Sequence, residues 1–191
     1  MKMKIRILAV LLANVVAGSA VAQDRDAMVA EGKTLIKEFS KALKAELMTA
    51  IKDGGPVNAI EVCNVRAPEI ATSVSEGSGW TVARSSHKLR NPQNAPDAYT
   101  AQAIDAFLTR QAAGEPAAEL VKAETVEEDG QQVFRMVKAI PTGEVCLACH
   151  GGEQVTPEVA AAIADFYPQD EARGFTVGEM RGVFTLRKPL N

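Results

Sequence analysis

A chain of 191 residues, 47% apolar and 24% charged, has enough of both to bury a core and keep a solvated surface. Its 21 basic against 24 acidic residues give a net charge of −3, which argues against nucleic acid or an anionic membrane surface as a partner. The chain opens with a basic stretch (Lys2, Lys4, Arg6), an apolar run from Ile7 to Val16, and the small-residue cleavage site Ala20-Val21-Ala22. Residues 1–22 are therefore expected to be a signal peptide, and residues 23–191 one domain, soluble in the periplasm. The alternative is an uncleaved anchor, but the apolar run is short for a spanning helix, and no other transmembrane segment follows. Loss of three basic residues with the leader makes the exported chain more acidic still.

Residues 26–52 are predicted to form a long amphipathic helix, because Leu35, Phe39, Leu43, Leu47 and Ile51 recur at spacings of four, with Ile36 and Met48 widening the stripe. Such a stripe packs against the domain; a second use would be a homodimer contact. Asp53-Gly54-Gly55-Pro56 ends the helix, and residues 58–71 form the next one. On it Ala59, Cys63 and Ala67 share a face, so a thiol sits between two small side chains where a flat group can come close. Pro68 denies Asn64 its helical hydrogen bond and predicts a kink or a restart there. After Gly77-Ser78-Gly79, residues 80–85 alternate as a strand, and the prolines at 92 and 96 mark a loop before a helix over residues 97–112. Residues 120–125 and 132–140 are predicted to be strands joined at Glu128-Asp129-Gly130. Residues 157–166 form a short Ala-rich helix, and residues 174–186 are expected to be a closing hairpin that turns near Gly178-Glu179. Helices first and antiparallel strands later predict an α+β fold.

Between the strand pair over residues 120–140 and the Ala-rich helix lies Cys146-Leu147-Ala148-Cys149-His150. This C-x-x-C-H spacing is the attachment signature of a c-type haem: two thiols three positions apart reach the two vinyl groups of one porphyrin, and the next histidine lies under the iron. A half zinc site would need two further ligands, and a redox C-x-x-C belongs near a βαβ pattern. Export agrees with covalent haem. Small electron-transfer cytochromes carry the motif near the start of a helical chain, and a cytochrome c prime carries it on the last helix of a bundle. Here strand-like segments both precede and follow it. With two cysteines in the motif, Cys63 has no disulfide partner within the chain, which in an oxidising compartment asks for another role. His87, the other histidine, lies among Ser, Lys and Arg and is expected to be solvated, while Met136 and Met180 are expected to fill core. Arg66, Arg84, Arg90 and Arg181 are candidates for carboxylate pairing with haem propionates.

Four pieces together resemble the Tll-type haem-binding domain family, a domain of unknown function with a PAS-like fold: Glu61-Val62-Cys63-Asn64, the segment Leu89 to Asp97, Cys146 to Gly151, and Tyr167 to Leu186. They span nearly the whole exported chain. The resemblance implies a PAS-like antiparallel sheet with N-terminal helices packed against it and one covalent haem c on Cys146 and Cys149. It further implies His150 and Cys63 as axial ligands, and puts Arg90 and Arg181 first among the propionate candidates. In the family pattern an acidic residue is expected where Thr100 stands.

A thiolate opposite an imidazole favours ferric iron, so the couple is expected to be low in potential, and reduction weakens the sulfur bond. That suits a redox or small-ligand sensor domain reporting to a signalling or redox partner protein. The alternative is a low-potential electron-transfer cytochrome. An enzyme, of the peroxidase or nitrite-type reductase class, would need an open iron position, which His/Cys ligation does not leave.

Overall fold

The fold is that of a computed structural model in which residues 14–190 are described, with side chains from Asp24 onward, Cys63 excepted. The basic start of the expected leader lies outside this range, as does most of its apolar run. Among the described residues no helix is long and apolar enough to cross a membrane.

The first element, α1 (Asn14–Ser75), contains both predicted N-terminal helices. Its backbone leaves helical geometry only at Gly54 (φ −152°) and Gly55 (φ 76°), where glycine tolerates a left-handed turn that a Cβ would strain. Asn58 Nδ2 donates to Ala50 O at 3.0 Å across the break, satisfying a carbonyl at the end of the first arm. At Pro68 the backbone keeps helical geometry, and the helix runs on to Ser75. Ala67 and Ile70 on either side of it are buried, and the proline leaves the arm one backbone hydrogen bond short.

Four strands follow: β1 (Thr81–Ser85), β2 (Val121–Glu128), β3 (Gln131–Pro141) and β4 (Met180–Pro189). They form one antiparallel sheet in the order β1-β4-β3-β2. The predicted β2/β3 hairpin turns on Asp129 (φ 52°) and Gly130 (φ 77°), two left-handed residues whose twist matches that of the strands. On one face the first arm of α1 buries Met28, Leu35, Ile36 and Phe39 against Trp80, Val82, Phe134, Met136, Phe184 and Leu186. Phe39 meets Phe184 edge to face at 5.4 Å. Toward the break the stripe loses cover, and Met48 is 47% exposed.

On the opposite face α2 (Ala98–Ala112) packs Ala103, Ile104 and Phe107 on Leu120, Val137, Met180 and Val183. Asp97 caps this helix by accepting from Thr100 N at 2.7 Å, and its other oxygen accepts from buried Arg135 at 2.6 Å, so one carboxylate both starts α2 and pins it to the sheet. Thr100 meets the Thr185 hydroxyl at 2.8 Å, which explains a small neutral residue at that position. Met136 and Met180 are fully buried core. The chain is α+β, an antiparallel sheet with the N-terminal helix packed against it.

The closing hairpin expected over residues 174–186 is corrected to the single strand β4. Phe175 N donates to His150 O and Gly174 N to Gly151 O, both at 3.0 Å, and Gly178 N donates to Thr142 O at 2.9 Å. The apparent first arm spends its donors on the motif segment rather than on β4.

Candidate functional site

Strand β3 delivers the chain to the motif through Thr142, which donates from both N (2.8 Å) and Oγ1 (2.7 Å) to Glu179 O just before β4 begins. A tight turn over Glu144–Cys146 then runs into α3 (Leu147–His150), followed after a loop by α4 (Pro157–Phe166). One helical turn separates the two motif thiols, which brings them to one side of the chain. Cys146 Sγ accepts from Gly143 N at 3.4 Å; burial pushes the Cys149 thiol up.

The motif is held from behind by residues 170–175. His150 Nδ1–H donates to Ala172 O at 2.9 Å, which fixes the ring and its tautomer and leaves Nε2, without a partner among the described residues, as the basic nitrogen. Burial first, then the charges of Arg181 and Arg90, hold this imidazole far below the ordinary histidine range, in the neutral form that binds metal. Arg90 organises the clamp. Its guanidinium donates to Cys149 O (2.6 Å), to Ala172 O (3.2 Å) and to both oxygens of buried Asp170 (3.0 and 3.2 Å). Asp170 also accepts from Ala172 N and Arg173 Nε, each at 3.0 Å. Burial works to raise its carboxyl, but the bonds from Arg90, Ala172 and Arg173 outweigh it and hold Asp170 below the usual carboxylate range.

Arg181 is different. It is the extra residue of a bulge: Ile140 pairs with Gly182 and Pro141 with Met180, so Arg181 has no opposite number, and the bulge turns its side chain away from the α2 face that Met180 and Val183 occupy. Its guanidinium packs over Phe175 at 5.4 Å and reaches Ser86 Oγ at 3.4 Å. No carboxylate pairs with it among the described residues, and Nε is buried without a partner. Burial first, then Arg90 and Arg84, push it down to about 10. A buried unpaired charge costs several kcal/mol, roughly; the group that relieves it is an anion.

The other side of the motif is apolar. The second arm of α1 meets α4 there, with Ile60, Val159 and Ile163 buried together and Cys149, Val155 and Tyr167 packed around them. Position 63 is one turn along from Ile60 on that arm, between buried Ala59 and Ala67. The Cys63 side chain itself lies outside the described residues. An apolar wall, a basic side with an unpaired guanidinium, and a neutral imidazole with a free nitrogen fit an amphiphilic macrocycle with carboxylates at one edge.

The structure thus gathers Cys146, Cys149, His150, Arg90 and Arg181, and sets Arg66 apart, paired with Glu46 and Glu69 on the surface. Arg84 lies over Phe39 at 5.0 Å. His87, expected to be solvated, is half-buried instead, with Nδ1 fully enclosed and its ring 5.7 Å from Phe175. Phe175, 2% exposed, is the hub that sequence reasoning missed: His150 at 6.3 Å, His87, Lys88 and Arg181 all pack on its ring.

The profile of the Tll0287-like family matches residues 13–189, nearly the whole chain. The chain belongs to the Tll0287-like family. A solved structure, that of the cyanobacterial haem protein Tll0287, superposes with a TM-score of 0.64 at 25% identity, over 86% of this chain and 96% of that one. No curated protein matches the chain. Membership in the Tll0287-like family accounts for the co-occurrence of the four sequence pieces.

Proposed function

We propose that this chain binds one haem c, thioether-linked to Cys146 and Cys149, with His150 Nε2 as proximal ligand and Cys63 as the opposite ligand. After export it would work in the periplasm as a redox or small-ligand sensor domain. The observation that carries the haem reading is His150: its Nδ1–H is committed to Ala172 O at 2.9 Å, and Nε2 is left free beside an unpaired, buried Arg181. The family and the solved haem protein of the same fold support it. When bound, haem supplies a one-electron couple and a site for small axial ligands.

The residues divide the work. Arg90 and Asp170 orient the motif and the proximal imidazole. Arg181 supplies charge for a propionate. Cys63 would hold the iron from the α1 side as a thiolate, whose negative charge would favour the ferric state and a low potential and whose bond would be the more labile one in the ferrous state. Release of a ligand carried on α1 would be felt along that helix, which supports sensing and a partner protein to read it. Electron transfer is the second reading. It is favoured by Val145 (46% exposed) and Val177 (56% exposed), two apolar side chains in the segments adjoining the motif that suit a docking redox partner. With both axial positions filled, no enzymatic role is proposed.

Protein matured in a bacterial periplasm should keep its haem through acid-acetone extraction and give a pyridine haemochrome of one haem per chain. Loss of all haem would overturn the attachment. Cys63→Ser should keep the haem, lose the low-spin thiolate spectrum, raise the midpoint potential and bind added ligands more readily when ferric; an unchanged spectrum and potential would remove Cys63 from the iron. Carbon monoxide binding to the ferrous form supports sensing, and its refusal supports electron transfer.

A further inference from the structure

We propose that His87 is a second donor to the carboxylate that Arg181 neutralises, so that one haem propionate is held between a guanidinium and a neutral imidazole. This rests on the haem reading above. Two polar side-chain atoms in this part of the fold are buried with no partner among the described residues, Arg181 Nε and His87 Nδ1. Both belong to side chains packed on Phe175, the ring that also touches His150. Buried polar atoms without partners are rare and ask for one.

The local structure makes the neighbourhood of the two residues firm. Ser86 Oγ donates to Arg181 O at 2.8 Å, accepts from Lys88 N at 3.1 Å, and is reached by Arg181 Nη1 at 3.4 Å, so the residue before His87 is bonded to Arg181 and also holds the residue after it. Gly182 permits the approach, since a Cβ there would lie 2.4 Å from Ser85 O.

The chemistry of the missing partner follows from the two groups. A guanidinium only donates; an imidazole beside it can donate from Nδ1. One group that satisfies both is an acceptor with two oxygens, a carboxylate. Burial, Lys88 and Arg181 hold His87 below its ordinary range, against the opposing charge of Glu179, which leaves the ring neutral and carrying one proton to give. Donation from His87 withdraws negative charge from the propionate, and the ferric state loses part of its stabilisation. His87 therefore raises the reduction potential.

The test uses the holoprotein. The pyridine haemochrome of the unaltered protein first establishes covalent haem, and its failure would sink the haem reading as a whole. With haem in place, His87→Phe should retain one haem per chain, shift the propionate bending band in the resonance Raman spectrum, and lower the midpoint potential. His87→Gln, whose amide still donates, should restore both toward the parent values. The proposal is overturned if His87→Phe leaves band and potential where they were, or if the Gln variant is indistinguishable from Phe. Should the Phe variant fail to fold, nitrogen-15 histidine NMR of the unaltered protein decides: a slowly exchanging proton on His87 Nδ1 supports the assignment, and an Nε2 tautomer refutes it.

Discussion

The Asp170 carboxylate accepts Arg90 on both oxygens, and through Arg90 it sets the carbonyls of Cys149 and Ala172, the second of which holds His150. Their side chains are 7% and 12% exposed, so removing one member strands a buried charge, at roughly 3–5 kcal/mol. Asp170→Asn should lower the unfolding free energy, read by urea denaturation, by an amount of that order. Because the folded carboxyl titrates below its ordinary 3.8, its stabilisation is complete above that pH and is lost as pH falls through the folded value. The parent should therefore lose stability on acidification below about pH 4, and Asp170→Asn should lose less over the same window; parallel acid profiles would refute the linkage. Arg90 and Arg181 stand in the sequence as two equal candidates. Their difference, one saturated by Asp170 and the other unpaired, depends on residues some eighty and ninety-five positions from each other and could not be read from spacing.

Strand β4 carries the element on which the site depends. Its bulge at Arg181 turns a charged side chain out of the strand's alternation, and Gly182 lets the end of β1 cross close by. The atom that Gly182→Ala would strike is the backbone carbonyl of Ser85, which cannot swing aside as a side chain can. That substitution should cost roughly 1–3 kcal/mol, read by urea denaturation, and should displace Arg181 from Ser86; an unaltered midpoint would mean that β1 yields freely. The same region shows where pattern reading fails. Phe175 and Val177 alternate around polar residues like a strand, yet the backbone donors of residues 174, 175 and 178 go to His150, Gly151 and Thr142. By contrast the helix stripe, the Gly54-Gly55 break and the Asp129-Gly130 turn were legible, because each is governed by neighbours a few residues away.

Across the molecule, burial begins at Met28 among the residues whose side chains are described, and that residue joins the α1 face of the sheet. Cleavage before Gln23 would leave this core intact. Periplasmic material should therefore begin near Gln23, by N-terminal sequencing, and a protein expressed from Gln23 should melt with the exported one; a chain starting at Met1 in the membrane fraction would show an anchor instead. Trimming further, past Phe39, removes Leu35, Ile36 and Phe39 from the sheet face, and loss of one buried aromatic alone costs about 3–5 kcal/mol. Such a chain should not fold.

The sequence by itself determined most of the elements, the closing hairpin excepted, and the attachment signature, since helical period, turn chemistry and C-x-x-C-H are all written within a few residues of one another. It also placed position 63 on a clear helical face, between Ala59 and Ala67. Only the tertiary structure decided which polar groups are left without partners around His150. Burial and pairing are properties of surfaces that meet from distant parts of the chain: Phe175, His87, Asp170 and Arg181 become a site because the bulged β4, the end of β1 and the segment 170–175 converge on the motif.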